Sequence, residues 1–105
     1  MEAQDSSPSP ARAYPIGTVL RAISSPVRWA ILRELAKGQS LPVVEIARRL
    51  RATPSAISKH FSVLYHSHIV NNEHGRYRIA PGLLSADRQT LDFGCLLIRL
   101  DRLSK

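Results

Sequence analysis

Four polar side chains cluster at helical spacing in the stretch TPSAISKHF, which runs from Thr53 to Phe61. They are Ser55, Ser58, Lys59 and His60. Hydroxyl, ammonium and imidazole groups on one helix can hydrogen-bond to a partner outside the protein. The same pattern also fits a solvated helix face opposite Ile57 and Phe61, so the surrounding elements must decide between recognition and an ordinary surface.

Catalytic and metal-binding chemistry fit this chain poorly. Ser, His and Asp all occur, but there is no nucleophile-elbow or phosphate-loop motif, so we predict neither an enzyme nor a cofactor. The four histidines, at positions 60, 66, 68 and 74, contain no pair four residues apart, and no metal is expected. The single cysteine, Cys95, excludes an internal disulfide; we predict a small buried hydrophobic residue, with a redox switch as the alternative.

The positive charge lies in the middle of the chain. The 105 residues, enough for one domain, carry a net charge of +7. Between Arg21 and Arg78 there are ten basic and three acidic residues, a difference of +7 that equals the whole net charge. This imbalance favours a polyanionic partner, either nucleic acid or an acidic membrane surface. No apolar stretch is long enough to span a bilayer, so we expect a soluble, cytoplasmic, nucleoid-associated protein.

Helical patterns occupy the first part of the charged region. Apolar residues recur at helical spacing after Pro15, and a second helix begins with Ser25 as N-cap and Pro26 at its first position. Gly38 ends that helix, and the segment SLPVVEIARRLRA predicts a short third helix. Three arginines remain outside its apolar stripe, namely Arg48, Arg49 and Arg51.

The stretch TPSAISKHF begins a fourth helix, predicted over residues 54–67. Thr53 is a suitable N-cap, and Pro54 fits the first helical position. Short alternating runs around His74-Gly75 then indicate a hairpin. A short helix, a longer helix and a basic hairpin in this order predict a winged helix-turn-helix, a mainly α fold with a small β-wing, which favours DNA as the partner.

We predict three parts of the chain: a disordered tail over 1–13, a winged helix-turn-helix domain over 14–81, and a dimerisation segment over 82–105. The last segment is apolar, and its apolar spacing slightly favours a helix, although Gly94 in its centre would destabilise one by about 1 kcal/mol. A strand over about 91–101 is the alternative. Candidate dimer contacts in this segment and the first helix are Val19, Leu20, Leu97 and Leu100.

Three phrases of the chain are similar to one family's motifs. SSPVRWAILREL is similar to D-P-x-R-x-x-I-L-x-x-L, and LPVVEIARRL is similar to L-x-V-x-E-L-A-x-x-L. TPSAISKHFSVL is similar to S-Q-S-A-V-S-R-H-L-x-x-L. With these phrases, about 60 residues resemble the ArsR/SmtB-type winged-helix transcriptional repressors. The resemblance implies a homodimer that binds specific double-stranded DNA with one recognition helix per half-site.

The resemblance also implies which residues contact DNA. The recognition-helix positions carry over to Ser55, Ser58, Lys59 and His60, and the wing positions to His74, Arg76 and Arg78. His60 is open between a phosphate contact and a packing role. Phosphate contacts are also expected from the arginines of the third helix. Pro54 stands where the family often has Gln, so the base preferences of relatives do not transfer.

The metal sites of the family are missing from this chain. One motif needs cysteines where Pro42, Val44 and Ala47 stand, and the other needs histidines after Asp92, where none occurs. We therefore predict a dimeric repressor without a metal sensor. The alternatives are a winged-helix module that binds another protein instead of DNA, and a thiol-responsive regulator acting through Cys95.

Overall fold

The computed structural model describes residues 14–100, and the predicted tail over 1–13 lies outside them. Its helices are α1 (Ile16–Ile23), α2 (Pro26–Leu35), α3 (Val43–Leu50) and α4 (Pro54–His66). Its strands are β1 (Leu41–Pro42), β2 (Val70–Glu73), β3 (Arg76–Ile79), β4 (Thr90–Asp92) and β5 (Leu97–Arg99). This order confirms the predicted winged helix-turn-helix.

The predicted helix starts are confirmed by their caps. The Ser25 hydroxyl accepts a hydrogen bond from the Arg28 backbone N–H at 3.3 Å, and Thr53 Oγ1 accepts one from the Ala56 N–H at 3.2 Å. Each cap satisfies a backbone donor that has no partner within its own helix.

The turn between α3 and α4 is closed without glycine. Arg51 adopts a left-handed conformation with φ 57°, and the Ala52 N–H donates to the Ala47 carbonyl at 2.9 Å. His68, with φ 64°, ends α4 in the same way, because the Ile69 N–H donates to the Leu64 carbonyl at 2.9 Å. Both ends have the Schellman hydrogen-bond pattern, in which satisfied carbonyls offset the strain of a left-handed side-chain-bearing residue.

The inner face of α4 packs against the wing. Ile57, Phe61 and Leu64 are fully buried, as the spacing predicted. The Phe61 ring stacks on Tyr77 of β3 with centroids 4.0 Å apart and planes 10° apart. This contact sets the position of α4 relative to the hairpin.

The wing is an antiparallel sheet with the strand order β1, β3, β2. Its tip is a two-residue turn in which His74 and Gly75 both have positive φ, 57° and 81°, the conformation that matches the twist of a hairpin. The Gly75 N–H donates to Asn72 Oδ1 at 3.1 Å, and the predicted hairpin is confirmed. Strand β1 was not predicted, because two residues carry no periodic signal; the register pairs Leu41 with Tyr77.

The slight preference for a C-terminal helix is wrong. Residues 90–99 form the hairpin β4–β5, in which Leu91 pairs with Ile98. Gly94 has φ 84°, and its N–H donates to Asp92 Oδ1 at 2.9 Å. The chain therefore turns back at Gly94, whereas the predicted alternative was one strand that continues through it. Alternate side chains point inward with the two-residue period of strands, and the buried ones are Leu91, Phe93, Ile98 and Leu100.

Two glycine-to-alanine substitutions should have opposite signs. Gly94→Ala should lower the free energy of unfolding by about 1 kcal/mol, because an L-residue is strained at a left-handed φ. Gly17→Ala should raise it by roughly 0.5–1 kcal/mol, because Gly17 is inside α1 and an added Cβ meets only Arg21 Nη1 at 3.9 Å. Urea unfolding of both variants checks this; a stabilising Gly94→Ala would instead support a C-terminal helix.

Candidate nucleic-acid interface

The first two turns of α4 present three polar side chains outward. Ser55, Ser58 and Lys59 are exposed and have no side-chain hydrogen bond or ion pair within residues 14–100. The buried Ile57 and Phe61 lie behind them. The geometry therefore brings these three predicted contact residues together on a surface whose bonding capacity is unused inside the described protein.

His60 is half-buried beside this surface and has a partner within the protein. Arg28 Nη1 of α2 lies 3.1 Å from His60 Nδ1. Burial lowers the pKa of the imidazole, and the positive charge of Arg28 lowers it further. Sequence reasoning missed Arg28 here, because 32 positions separate the two residues and only the packing of α2 on α4 brings them together.

Three arginines at the C-terminal end of α3 differ in their surroundings. Glu45 accepts hydrogen bonds from the guanidinium of Arg48 and from Arg49 Nε, the latter at 2.8 Å. Arg49 also donates to Glu34 Oε1 at 3.2 Å, and its side chain is 28% exposed. Arg51 is exposed and has no side-chain partner in the described part of the chain. Among the three, Arg51 is thus the most available to an outside anion.

The Glu45 carboxylate is the centre of this charge network. Hydrogen bonds from Arg48 and then Arg49 lower the pKa of Glu45 from its ordinary 4.5 to about 2. The same hydrogen bonds raise the pKa of both guanidinium groups. All these groups remain charged near neutral pH, so the network partly neutralises Arg48 and Arg49 locally.

The wing carries its basic residues on one side. Arg76 and Arg78 alternate with the inward-facing Tyr77 and Ile79 of β3, so they share the outer face. Arg76 donates to the Ser40 hydroxyl at 3.3 Å and to the Ser40 carbonyl at 2.8 Å. His74 and Arg78 are exposed and unpartnered among the described residues. No sequence signal pointed to Ser40.

The predicted dimer residues fall into two groups. Val19 is fully buried and Leu100 is 3% exposed, so both side chains fill the core of the chain and are not accessible to a second copy. Leu20 and Leu97 are 50% and 65% exposed. Ile16, one turn before Leu20 on α1, is 51% exposed and adds an apolar residue that the prediction omitted.

Other candidate chemistry does not coincide with the outward face of α4. Cys95 is exposed, so the prediction of a buried thiol is wrong, because the residue lies in the β4–β5 turn rather than in an apolar helix stripe. Residues 14–100 contain no group of three or more His, Cys, Asp or Glu side chains placed to hold a metal ion. A cavity of about 640 Å³ lies between α1 and the end of α4, where Tyr14 and His66 line it. His66, at the end of α4, is about 16 Å from Ser55 along the helix axis.

Comparison with known proteins identifies the region that carries this face. Residues 25–72 match the family model described as bacterial regulatory protein, arsR family. This segment is an ArsR-family helix-turn-helix. The match covers α2, α3, α4 and the start of the wing, which includes all the contact residues predicted on α4. No curated protein matches the chain in sequence.

Two solved structures are similar to this chain in fold and sequence. HlyU from Vibrio cholerae N16961 is 28% identical with a TM-score of 0.56, and the match covers 64% of this chain and 76% of that one. Reduced HlyU from the same organism is 27% identical with a TM-score of 0.55, and that match covers 70% and 76%. The matched segment and the similar structures support a DNA-binding transcription regulator. Within the described residues, no helix combines the length and apolar composition required to cross a membrane.

The pKa of Glu45 predicts a pH dependence for the charge network. A carboxyl with a lowered folded-state pKa stabilises the fold above its unfolded pKa, and this contribution is lost as the pH falls through its folded pKa. The stability difference between the wild type and Glu45→Gln should therefore be constant above pH 4.5 and shrink towards pH 2. Thermal unfolding across this range measures it. Glu73→Gln is the control, because Glu73 has no ion pair among residues 14–100, and a Glu45 difference that persists unchanged at pH 2 would contradict the network.

Proposed function

We propose that this ArsR-type regulator is a homodimeric repressor that binds a specific double-stranded DNA site and acts in the cytoplasm without a metal sensor. One observation carries the proposal: Ser55, Ser58 and Lys59 form an exposed face on the first two turns of α4 and have no partner among residues 14–100. A buried apolar face holds them in place from behind. Repression follows from the family resemblance, because a dimer bound at a promoter excludes other proteins from it.

The first turns of α4 are the part that enters the major groove. This groove accommodates one helix, and serine hydroxyls can donate to or accept from base edges there. Lys59 donates either to guanine acceptors or to a phosphate. The N-terminal position of these residues agrees with the docking mode in which the start of a recognition helix contacts bases.

Basic residues beside the groove position the protein on the phosphate backbone. Arg51 follows α3, while His74 and Arg78 extend from the wing, and none has a partner in the described chain. Arg76 contributes from the same wing face, although Ser40 already holds part of its guanidinium. Arg48 and Arg49 contribute less, because Glu45 accepts from both.

A second copy of the chain is the proposed occupant of the outer face of α1. The inner face of this helix buries Val19, Ala22 and Ile23, but Ile16 and Leu20 on its outer side are about half exposed. Burying an apolar side chain of this size contributes about 1.5–3 kcal/mol. Leu97 of β5 is the apolar residue of the C-terminal hairpin available to the same interface.

Selection of bound DNA from a random pool by the full chain tests this function. We expect a site with two-fold symmetry whose half-site centres are about 34 Å apart, or a multiple of that distance. Lys59→Gln should then bind the selected DNA more weakly, and the slope of log affinity against log salt concentration should become about 1.8 less negative, because each of the two subunits loses one cation contact of about 0.9.

The matched control for Lys59→Gln is Arg33→Gln. It removes the same charge from an exposed residue of α2 that lies outside α3, α4 and the wing. Its affinity and salt slope should stay close to wild type. Equal effects of the two substitutions would mean that overall charge, rather than docking of α4, drives binding, and recovery of no preferred sequence would refute specific recognition.

Leu20→Lys should convert the dimer to a folded monomer. The substitution puts a charge into the proposed interface. Because position 20 is 50% exposed, the lysine ammonium can reach water in the monomer. Sedimentation equilibrium gives the mass, and circular dichroism shows whether the fold persists. Val44→Lys, at a 64% exposed valine of α3, should remain dimeric. A dimeric Leu20→Lys variant would refute the α1 interface.

A further inference from the structure

The Arg28 side chain joins three helices with one guanidinium group. Its Nε donates to the Ala22 carbonyl, and its Nη2 donates to the Arg21 carbonyl at 3.2 Å, both at the end of α1. Its Nη1 lies 3.1 Å from His60 Nδ1 on the recognition helix. The side chain thus links the C-terminal carbonyls of α1 to a residue beside the proposed DNA face.

This contact determines which ring nitrogen of His60 carries the proton. A guanidinium group is always protonated in proteins and has donors only, so Nδ1 must be the acceptor. A neutral imidazole with an accepting Nδ1 has its proton on Nε2. The ring has no carboxylate partner among residues 14–100 to favour the doubly protonated form, and Arg28 is the charged group that faces it.

Nε2 is the nitrogen left for a partner outside the protein. It has no hydrogen bond in the described part of the chain, and His60 directly follows the exposed Lys59. We propose that Arg28 is a positioning residue that holds His60 neutral, with Nε2–H as a hydrogen-bond donor to an acceptor atom of DNA. This inference rests on the proposed function, because it assigns His60 to the same interface.

The assignment separates His60 from an ordinary basic contact. A neutral donor bonds to a phosphate oxygen or to a base acceptor such as guanine N7 or O6, but it displaces no counterion. Loss of Nε2–H should therefore reduce affinity without changing the salt slope, unlike the loss of Lys59. The two alternatives left by the sequence for His60, packing and contact, are then combined: Nδ1 packs against Arg28 and Nε2 contacts DNA.

Nitrogen-15 NMR of the full chain tests the contact without DNA. We expect the wild-type ring to be protonated at Nε2 and unprotonated at Nδ1. In Arg28→Met, which keeps a similar stem but removes the donors, we expect a mixture of tautomers and a higher pKa for His60. A wild-type ring protonated at Nδ1, or one doubly protonated at neutral pH, would overturn the inference.

Affinity for the selected DNA tests the role of the contact. His60→Asn keeps an acceptor near the Nδ1 position but loses Nε2–H, so binding should weaken about two- to tenfold per subunit, or about four- to hundredfold for the dimer, with an unchanged salt slope. Arg28→Met should weaken binding in the wild-type background but much less in the His60→Asn background. An unchanged His60→Asn affinity, or a salt slope that becomes about 1.8 less negative, would overturn the neutral-donor role.

A double-mutant cycle also tests whether the role of Arg28 is purely structural. If Arg28 only stabilises the end of α1, Arg28→Met should weaken binding equally in both backgrounds, and that outcome would overturn its positioning role. Arg28→Lys, which retains the charge and can reach one acceptor, provides a variant that folds if Arg28→Met does not. Wild type that selects no DNA sequence would refute the proposed function itself, whereas normal wild-type binding with insensitive His60 variants would refute this inference alone.

Discussion

The inner face of α4 is held against β3, where the Phe61 ring stacks on Tyr77 with centroids 4.0 Å apart. Ile57 and Leu64 extend the contact into the fully buried core. A fixed inner face leaves only one side of the helix for outside contacts, so the side chains between these anchors have a defined direction. The position of α4 therefore depends on the wing, and a small displacement of either would move the outward-facing donors, which need hydrogen-bond geometry.

The positive charge of the chain is not equally available. Seven of the basic side chains stand in or beside the helix-turn-helix and wing: Arg28, Arg48, Arg49, Arg51, Lys59, Arg76 and Arg78. Arg28 donates hydrogen bonds to backbone carbonyls of α1, and Arg49 donates to the carboxylates of Glu45 and Glu34. Lys59, Arg51 and Arg78 have no such role in the described residues. Net charge thus attracts a polyanion, but the internal partners of each cation decide which charges remain for it.

Local signals predicted the helix-turn-helix and the wing well. Thr53 and Ser25 cap helices because their hydroxyls satisfy free N–H groups, and such caps depend on residues three apart. The His74-Gly75 turn was predictable for the same reason, because its conformation depends on adjacent residues. Strand β1 and the C-terminal hairpin were not, because their pairing depends on residues distant in the chain. Gly94 disfavoured a helix, but the apolar residues of the leucine-rich segment around it fit both the helical and the strand period.

The amino-acid sequence alone determined the order of helices and wing, the central position of the positive charge and the identity of the residues on the outer face of α4. These depend on periodicity, capping and composition, which act over a few residues. Only the tertiary structure decided that Val19 and Leu100 belong to the core, that Arg49 is held by Glu34, and that Arg28 reaches His60. Contacts of this kind join elements 15 or 32 positions apart, and which of them form depends on how the helices pack rather than on any local pattern.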